Sequence, residues 1–163
     1  MFGWKQKTYQ HILENLTEGV YIVDLDQKIQ FWNKSAEAMT GLSAGEMIGR
    51  PLDEVSIGYE DESGNALKPF EYPVALCLQE KKNINRNFFI NSSDNRKIPV
   101  DENASPLFSK DKMTGAVVTF KDISGCIKTV AERLTQNCLP EVTARIHYSV
   151  SLPYPDTKEL ETQ

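Results

Sequence analysis

Between Arg86 and Asp122 three strand-like runs follow one another with four residues at each link, and this constrains the fold more than any other part of the chain. The runs are Arg86–Asn91, Arg96–Phe108 and Met113–Asp122, separated by Ser92-Ser93-Asp94-Asn95 and Ser109-Lys110-Asp111-Lys112. Both links have turn chemistry. Links this short join antiparallel neighbours only, because a parallel crossover needs about a dozen residues. The third run then changes character within VVTFKDISGCIKTV: Val117 to Phe120 suit a strand, whereas Ile127, Val130, Ala131 and Leu134 recur at helical spacing. A strand therefore passes into a helix at Asp122-Ile123-Ser124-Gly125. The helical stripe spans about two heptads before Pro140, too short for a durable coiled coil.

Upstream, Tyr9, Ile12, Leu13 and Leu16 form an apolar stripe on a helix over about residues 4–16. Val20–Leu25 and Lys28–Trp32 form a predicted hairpin through Asp26-Gln27. Asn33 suits the N-cap of a helix from Lys34 to Thr40 that Gly41 ends. Ser43 and Glu46 have capping-box spacing, and Arg50-Pro51 opens another helical turn through Val55. Gly58–Lys68 is acidic and contains glycine, which predicts an exposed loop. Pro73 to Lys82 is the longest helix of the middle region, with Val74, Ala75, Cys77 and Leu78 on one side. The expected fold is α+β, an antiparallel sheet with helices gathered on one face. The chain divides into an N-terminal helix (1–17), the sheet domain (18–124), an exit helix (125–139) and a tail (140–163). The tail has a weak alternating run, Val142–Val150, and is expected to be partly disordered or to pack on the sheet.

Composition narrows the function. With a net charge of −5 and scattered Lys and Arg, no basic face for nucleic acid is expected. No run approaches the roughly 18 apolar residues of a spanning helix, and Met1 to Lys7 lacks the apolar segment of a signal peptide, so a cytoplasmic protein is expected, away from membranes. Cys77, Cys126 and Cys138 lack paired spacing and read as buried or free thiols, and the two histidines, His11 and His147, lie near opposite ends. A His-centred or metal site is not expected.

The ordered series Glu18-Gly19, Asp24, Asn33, Ala36-Glu37, Thr40-Gly41, Ile48-Gly49-Arg50-Pro51, Pro99-Val100 and Asp122-Ile123-Ser124 resembles a PAS domain over about residues 13–124. The likeness is greatest to the type found upstream of bacterial diguanylate cyclases and sensor histidine kinases. It implies a five-stranded antiparallel sheet whose inner face is closed by short helices and one longer helix. It also implies a sensory or dimerisation module, with Asp122-Ile123-Ser124 as the exit through which the state of the domain reaches an effector. Flavin-binding relatives carry a cysteine in a sequence like GRNCRFLQ, where this chain has Gly49-Arg50-Pro51-Leu52-Asp53, and haem-binding relatives supply a histidine from the longer helix, which has none here. Flavin and histidine-ligated haem are thus disfavoured, and the cofactor is left unknown.

Phe31, Met39, Met47, Leu76, Cys77, Phe88, Ile90, Val100, Val118 and Phe120 are expected around the interior, either filling a core or lining a small-ligand pocket. Glu102 shares a strand face with Ile98, Val100 and Ala104, which aims a carboxylate inward unless a bulge flips the register. A buried Glu needs a partner or a raised pKa, making it the best candidate for a polar ligand contact. The last strand is apolar on both faces, so its outer face requires a cover: the N-terminal helix, the strand region after Val142 or a second copy of the chain. Asp122 is expected to cap the exit turn, to pair with a basic residue, or to do both. The expected function is a non-catalytic signalling module acting on an effector domain or protein. The alternative is a small cone-fold enzyme with Glu102 or Asp101 as general base, which needs a second polar group converging on the same cavity.

Overall fold

The computed structural model describes residues 2–55 and 57–129. The expected continuation of the exit helix, the run at 142–150, the tail and Cys138 lie outside the described residues. Helix α1 (Phe2–Glu14) leads into β1 (Gly19–Asp24) and β2 (Ile29–Trp32), then α2 (Lys34–Thr40), α3 (Ala44–Met47) and a 3-10 turn at Leu52–Glu54. After β3 (Gly58–Glu60) and a second 3-10 turn at Pro69–Glu71 come α4 (Pro73–Glu80), β4 (Ile84–Asn91), β5 (Lys97–Ser109) and β6 (Lys112–Asp122). The strands form one antiparallel sheet in the order β2-β1-β6-β5-β4-β3.

The three hairpin-linked strands pair as expected, but the sheet has six strands rather than five. Gly58–Glu60, expected within a loop, pairs with Asn91–Phe89 and buries Tyr59 against the core. Acidic neighbours and glycine hid this strand, because a three-residue edge strand offers too little alternation to outweigh its surroundings. Leu25, expected in β1, instead lies exposed in the hairpin turn. There the Asp24 carboxylate accepts from the amides of Asp26 and Lys28.

Local caps fix the helices on the inner face. Asn33 accepts from the Ala36 amide, Gly41 ends α2 in the left-handed region, and Ser43 and Glu46 complete the capping box of α3. β6 passes so close to β1 that a side chain at Gly115 would bring its Cβ within 2.0 Å of the Val23 carbonyl oxygen. The core lies between the inner sheet face and these helices. Tyr21, Trp32 and Phe120 meet at ring separations of 5.6–6.2 Å, and Tyr59 meets Tyr72 and Phe88 at 4.4 and 5.1 Å. Such tilted aromatic contacts add to the burial of the rings themselves.

Candidate functional site

The inner face of β5 carries Ile98, Val100, Glu102 and Ala104, all buried. No bulge interrupts the register here: Glu102 stands opposite Phe120 of β6 on one side and Arg86 of β4 on the other. Strand alternation therefore drives a carboxyl into an apolar interior, where it is 1% exposed and its Oε1 has no hydrogen-bond partner. Burial pushes the Glu102 pKa up to about 8, and the Tyr21 hydroxyl partly offsets that shift. Tyr21 and Tyr59, whose hydroxyls lie 3.4 Å apart, are both buried. Burial first, and then the Glu102 charge, raises both phenols well above their usual value.

These two tyrosines are the polar groups that sequence reasoning did not bring to the site. Tyr21 is recoverable from alternation in Val20–Asp24; Tyr59 is not, because its strand lies in an acidic, glycine-containing segment with the composition of a loop. Together they join Glu102 into a polar cluster drawn from β1, β3 and β5. The space left among Trp32, Thr40, Ile57, Tyr59, Ile90, Glu102 and Phe120 does not admit a water molecule. In this conformation the side chains around that space pack against one another as a core does.

Met47, Cys77, Phe88, Ile90, Val100, Val118 and Phe120 belong to this core with Glu102 among them, and Met39 packs against it half-buried. Phe31 does not. β1 and β2 shift register so that Ile22 and Val23 face Phe31 and Ile29, leaving Gln30 as an extra residue. That bulge turns Phe31 to the outer face and Trp32 inward. Trp32 is buried, with its indole N–H donating to the Leu42 carbonyl at 3.0 Å. Leu76 is also outside the core cluster. α4 buries Pro73, Val74 and Cys77, and Leu76 falls off that stripe and stays half-buried. Burial raises the pKa of the Cys77 thiol, which disfavours the reactive thiolate. Asp101 projects from the opposite face of β5, where the Asn85 amide donates to it at 2.9 Å.

At the exit, Asp122 Oδ1 accepts from the Ser124 amide at 2.8 Å. That bond is the capping role expected of it, and among the described residues it makes no ion pair. The Ile123 amide donates to the Pro99 carbonyl at 3.0 Å, tying the turn to β5, and residues 124–129 are helical. Asn33 does more than the helix cap expected of it. Its Oδ1 also accepts from the Val20 amide, and its Nδ2 donates to the carbonyls of Leu13 and Glu18. This one fully buried side chain ties α1, β1 and α2 together.

No three His, Cys, Asp or Glu side chains among the described residues are placed to hold a metal, and no described helix is long and apolar enough to cross a membrane. The architecture is α+β, a six-stranded antiparallel sheet closed on its inner face by short helices. The chain belongs to the PAS family, whose model for the PAS fold matches residues 7–123. Among solved structures it is similar to the PAS domain of a protein from Colwellia psychrerythraea, at 17% identity and a TM-score of 0.59, covering 74% of this chain and 98% of that one. It is also similar to a PAS domain from a two-component sensor histidine kinase, at 15% identity and a TM-score of 0.57, with 75% and 99% covered. A third is the PAS domain of nitrogen regulation protein NR(II) from Vibrio parahaemolyticus, at 18% identity and a TM-score of 0.53, with 71% and 97% covered. No curated protein matches the chain.

Proposed function

We propose that this chain is a non-catalytic, cytoplasmic sensory module that passes the state of its interior through the Asp122-Ile123-Ser124 turn to an effector domain or protein. The observation that carries this reading is the bond from the Ile123 amide to Pro99. Pro99 is three residues from Glu102 on the same strand, so a shift of β5 at the buried acid moves the base of the exit helix. The similarity to PAS domains of a two-component sensor histidine kinase and of a nitrogen regulation protein supports a two-component or transcription-regulatory pathway. An enzyme using Glu102 as base would need space for a substrate beside the carboxyl, and that space does not admit water.

Amide hydrogen exchange tests the coupling. Glu102→Gln is expected to change exchange several-fold over residues 123–129 while leaving the Asp24–Ile29 turn unaltered. Changes confined to the direct neighbours of residue 102 would count against signalling. Turnover of small esters or ketones that disappears in Glu102→Gln would replace it with the enzyme. Native mass spectrometry is expected to give the bare polypeptide mass, and a retained organic molecule would overturn the filled interior.

A homodimer is part of the same reading, because α1 leaves Tyr9 and Ile12 exposed on one side, with Leu16 exposed just beyond its end, and apolar stripes on short helices are stabilised by partners rather than by propensity. A second copy of this chain supplies a matching stripe. Light scattering is expected to give a dimer mass that falls to a monomer in Ile12→Glu; a monomer at high concentration for the unaltered chain would dismiss the dimer.

A further inference from the structure

We propose that Arg86 is the latent counter-ion of Glu102, and that gain or loss of one proton at this pair is the input to which the domain responds. The second half of this inference rests on the signalling reading above. Antiparallel register places Arg86 directly opposite Glu102, and directly opposed residues share a sheet face with Cβ atoms about 5 Å apart. Arg86 is thus an inner-face residue, between Ile84 and Phe88, yet its side chain is exposed. The reason is the short edge: β3 covers β4 only from Phe89 to Asn91, so the guanidinium leaves the sheet where no strand flanks it. None of the ion pairs among the described residues includes Arg86.

Glu102 has the complementary deficit. Its Oε1 lacks a partner, and the adjoining space cannot take a water molecule to supply one. A carboxylate in that position has two ways to be satisfied: it keeps a proton taken from solvent, or a cation reaches it. The groups beside it from the packed elements are the hydroxyls of Tyr21 and Tyr59 and the Phe120 ring, with Arg86 opposite it in the register. Arg86 is the single cation among them; Lys97, Asp101 and Lys121 project from the other sheet face by alternation. In the protonated state the neutral acid stays in the core and Arg86 remains in solvent. On ionisation the proton leaves to solvent and the guanidinium folds over the β4 edge to pair with the carboxylate, placing a new pull on β5 at Glu102. The raised pKa of Glu102 places the exchange close to neutral pH.

Trp32 lines the same space as Glu102, and Trp4 is the other tryptophan of the chain. A Trp4→Phe protein therefore reports from Trp32 alone, and labelled glutamate carboxyl NMR reports the proton directly. Titration of this protein is expected to show one transition with a midpoint at about 8 or below, absent when Glu102→Gln is added. Arg86→Gln is expected to raise the midpoint by about one unit, a tenfold weaker release of the proton. Because Arg86 is exposed, that variant folds whatever becomes of Glu102→Gln. A transition that survives Glu102→Gln, or a midpoint unmoved by Arg86→Gln, would overturn the ion pair. A normal titration without any change in amide exchange at residues 123–129 overturns the input role and the signalling reading while leaving the pair in place.

Discussion

Raising the pH from about 5.5 to about 8.5 is expected to destabilise the protein by about 3 kcal/mol, and Glu102→Gln is expected to abolish most of that loss. The unfolded chain ionises Glu102 near its ordinary value of 4.5, whereas the folded chain holds the proton up to about 8. Below both values the acid is neutral in either state and contributes no pH dependence. Between them the unfolded state releases a proton that the folded state keeps, so rising pH favours unfolding by about 1.4 kcal/mol per unit. Above the folded value both states are ionised and the curve flattens. The other shifted carboxylates, Glu46, Glu60, Asp61 and Asp94, move the opposite way, each lowered first by a side-chain hydrogen bond. Their contribution is present above their unfolded values and is lost in acid, outside this window. Urea unfolding at the two pH values, for both proteins, checks the expectation. A wild-type stability that is flat or rises across the window would mean that Glu102 is ionised and satisfied in the fold.

The sheet was legible from sequence because Arg86–Asp122 combines period-two alternation with links too short for any crossover, and each feature excludes what the other leaves open. Glu102 was legible for the same reason: an uninterrupted count from Ile98 through Ala104 fixes its face. Phe31 and Trp32 exchanged roles because a bulge at Gln30 adds one residue to a count that has no other anchor, and hydrophobicity cannot tell two adjacent aromatics apart. Tyr59 and the reach of Asn33 depend on chain segments far away in sequence, brought near only by the closed fold. No local pattern encodes such meetings. Arg86 shows the converse limit, since alternation puts it inside and only the shortness of β3 explains why its side chain lies outside.

Asn33→Ala is expected to destabilise the protein by roughly 3–5 kcal/mol, well beyond the approximately 1 kcal/mol of a lost helix cap. The side chain is fully buried and uses all four of its hydrogen-bonding positions. Two amides, Val20 and Ala36, donate to Oδ1 at 2.9 Å, and Nδ2 donates to the Leu13 and Glu18 carbonyls at 2.9 and 3.0 Å. Alanine leaves all four backbone groups without that partner, and a buried unpaired group costs about 1–3 kcal/mol. Asn33→Asp separates the two halves of the role. Its carboxylate keeps the acceptor for Val20 and Ala36 but faces two carbonyl oxygens with no proton to give them, so α2 stays capped while the end of α1 is repelled. Amide exchange in Asn33→Asp is expected to rise over residues 13–18 and to stay slow in α2. The remaining ties, from the Lys34 amide to Glu14 at 3.1 Å and from Ser35 Oγ to the Leu16 carbonyl at 2.5 Å, start from the first turn of α2 and do not reach the sheet. Among the described residues, Asn33 alone bonds the end of α1 to the start of β1, and β1 pairs with β6, the strand that leads to the exit. A cost of about 1 kcal/mol for Asn33→Ala, with exchange at residues 13–18 unchanged in Asn33→Asp, would reduce the residue to an ordinary helix cap.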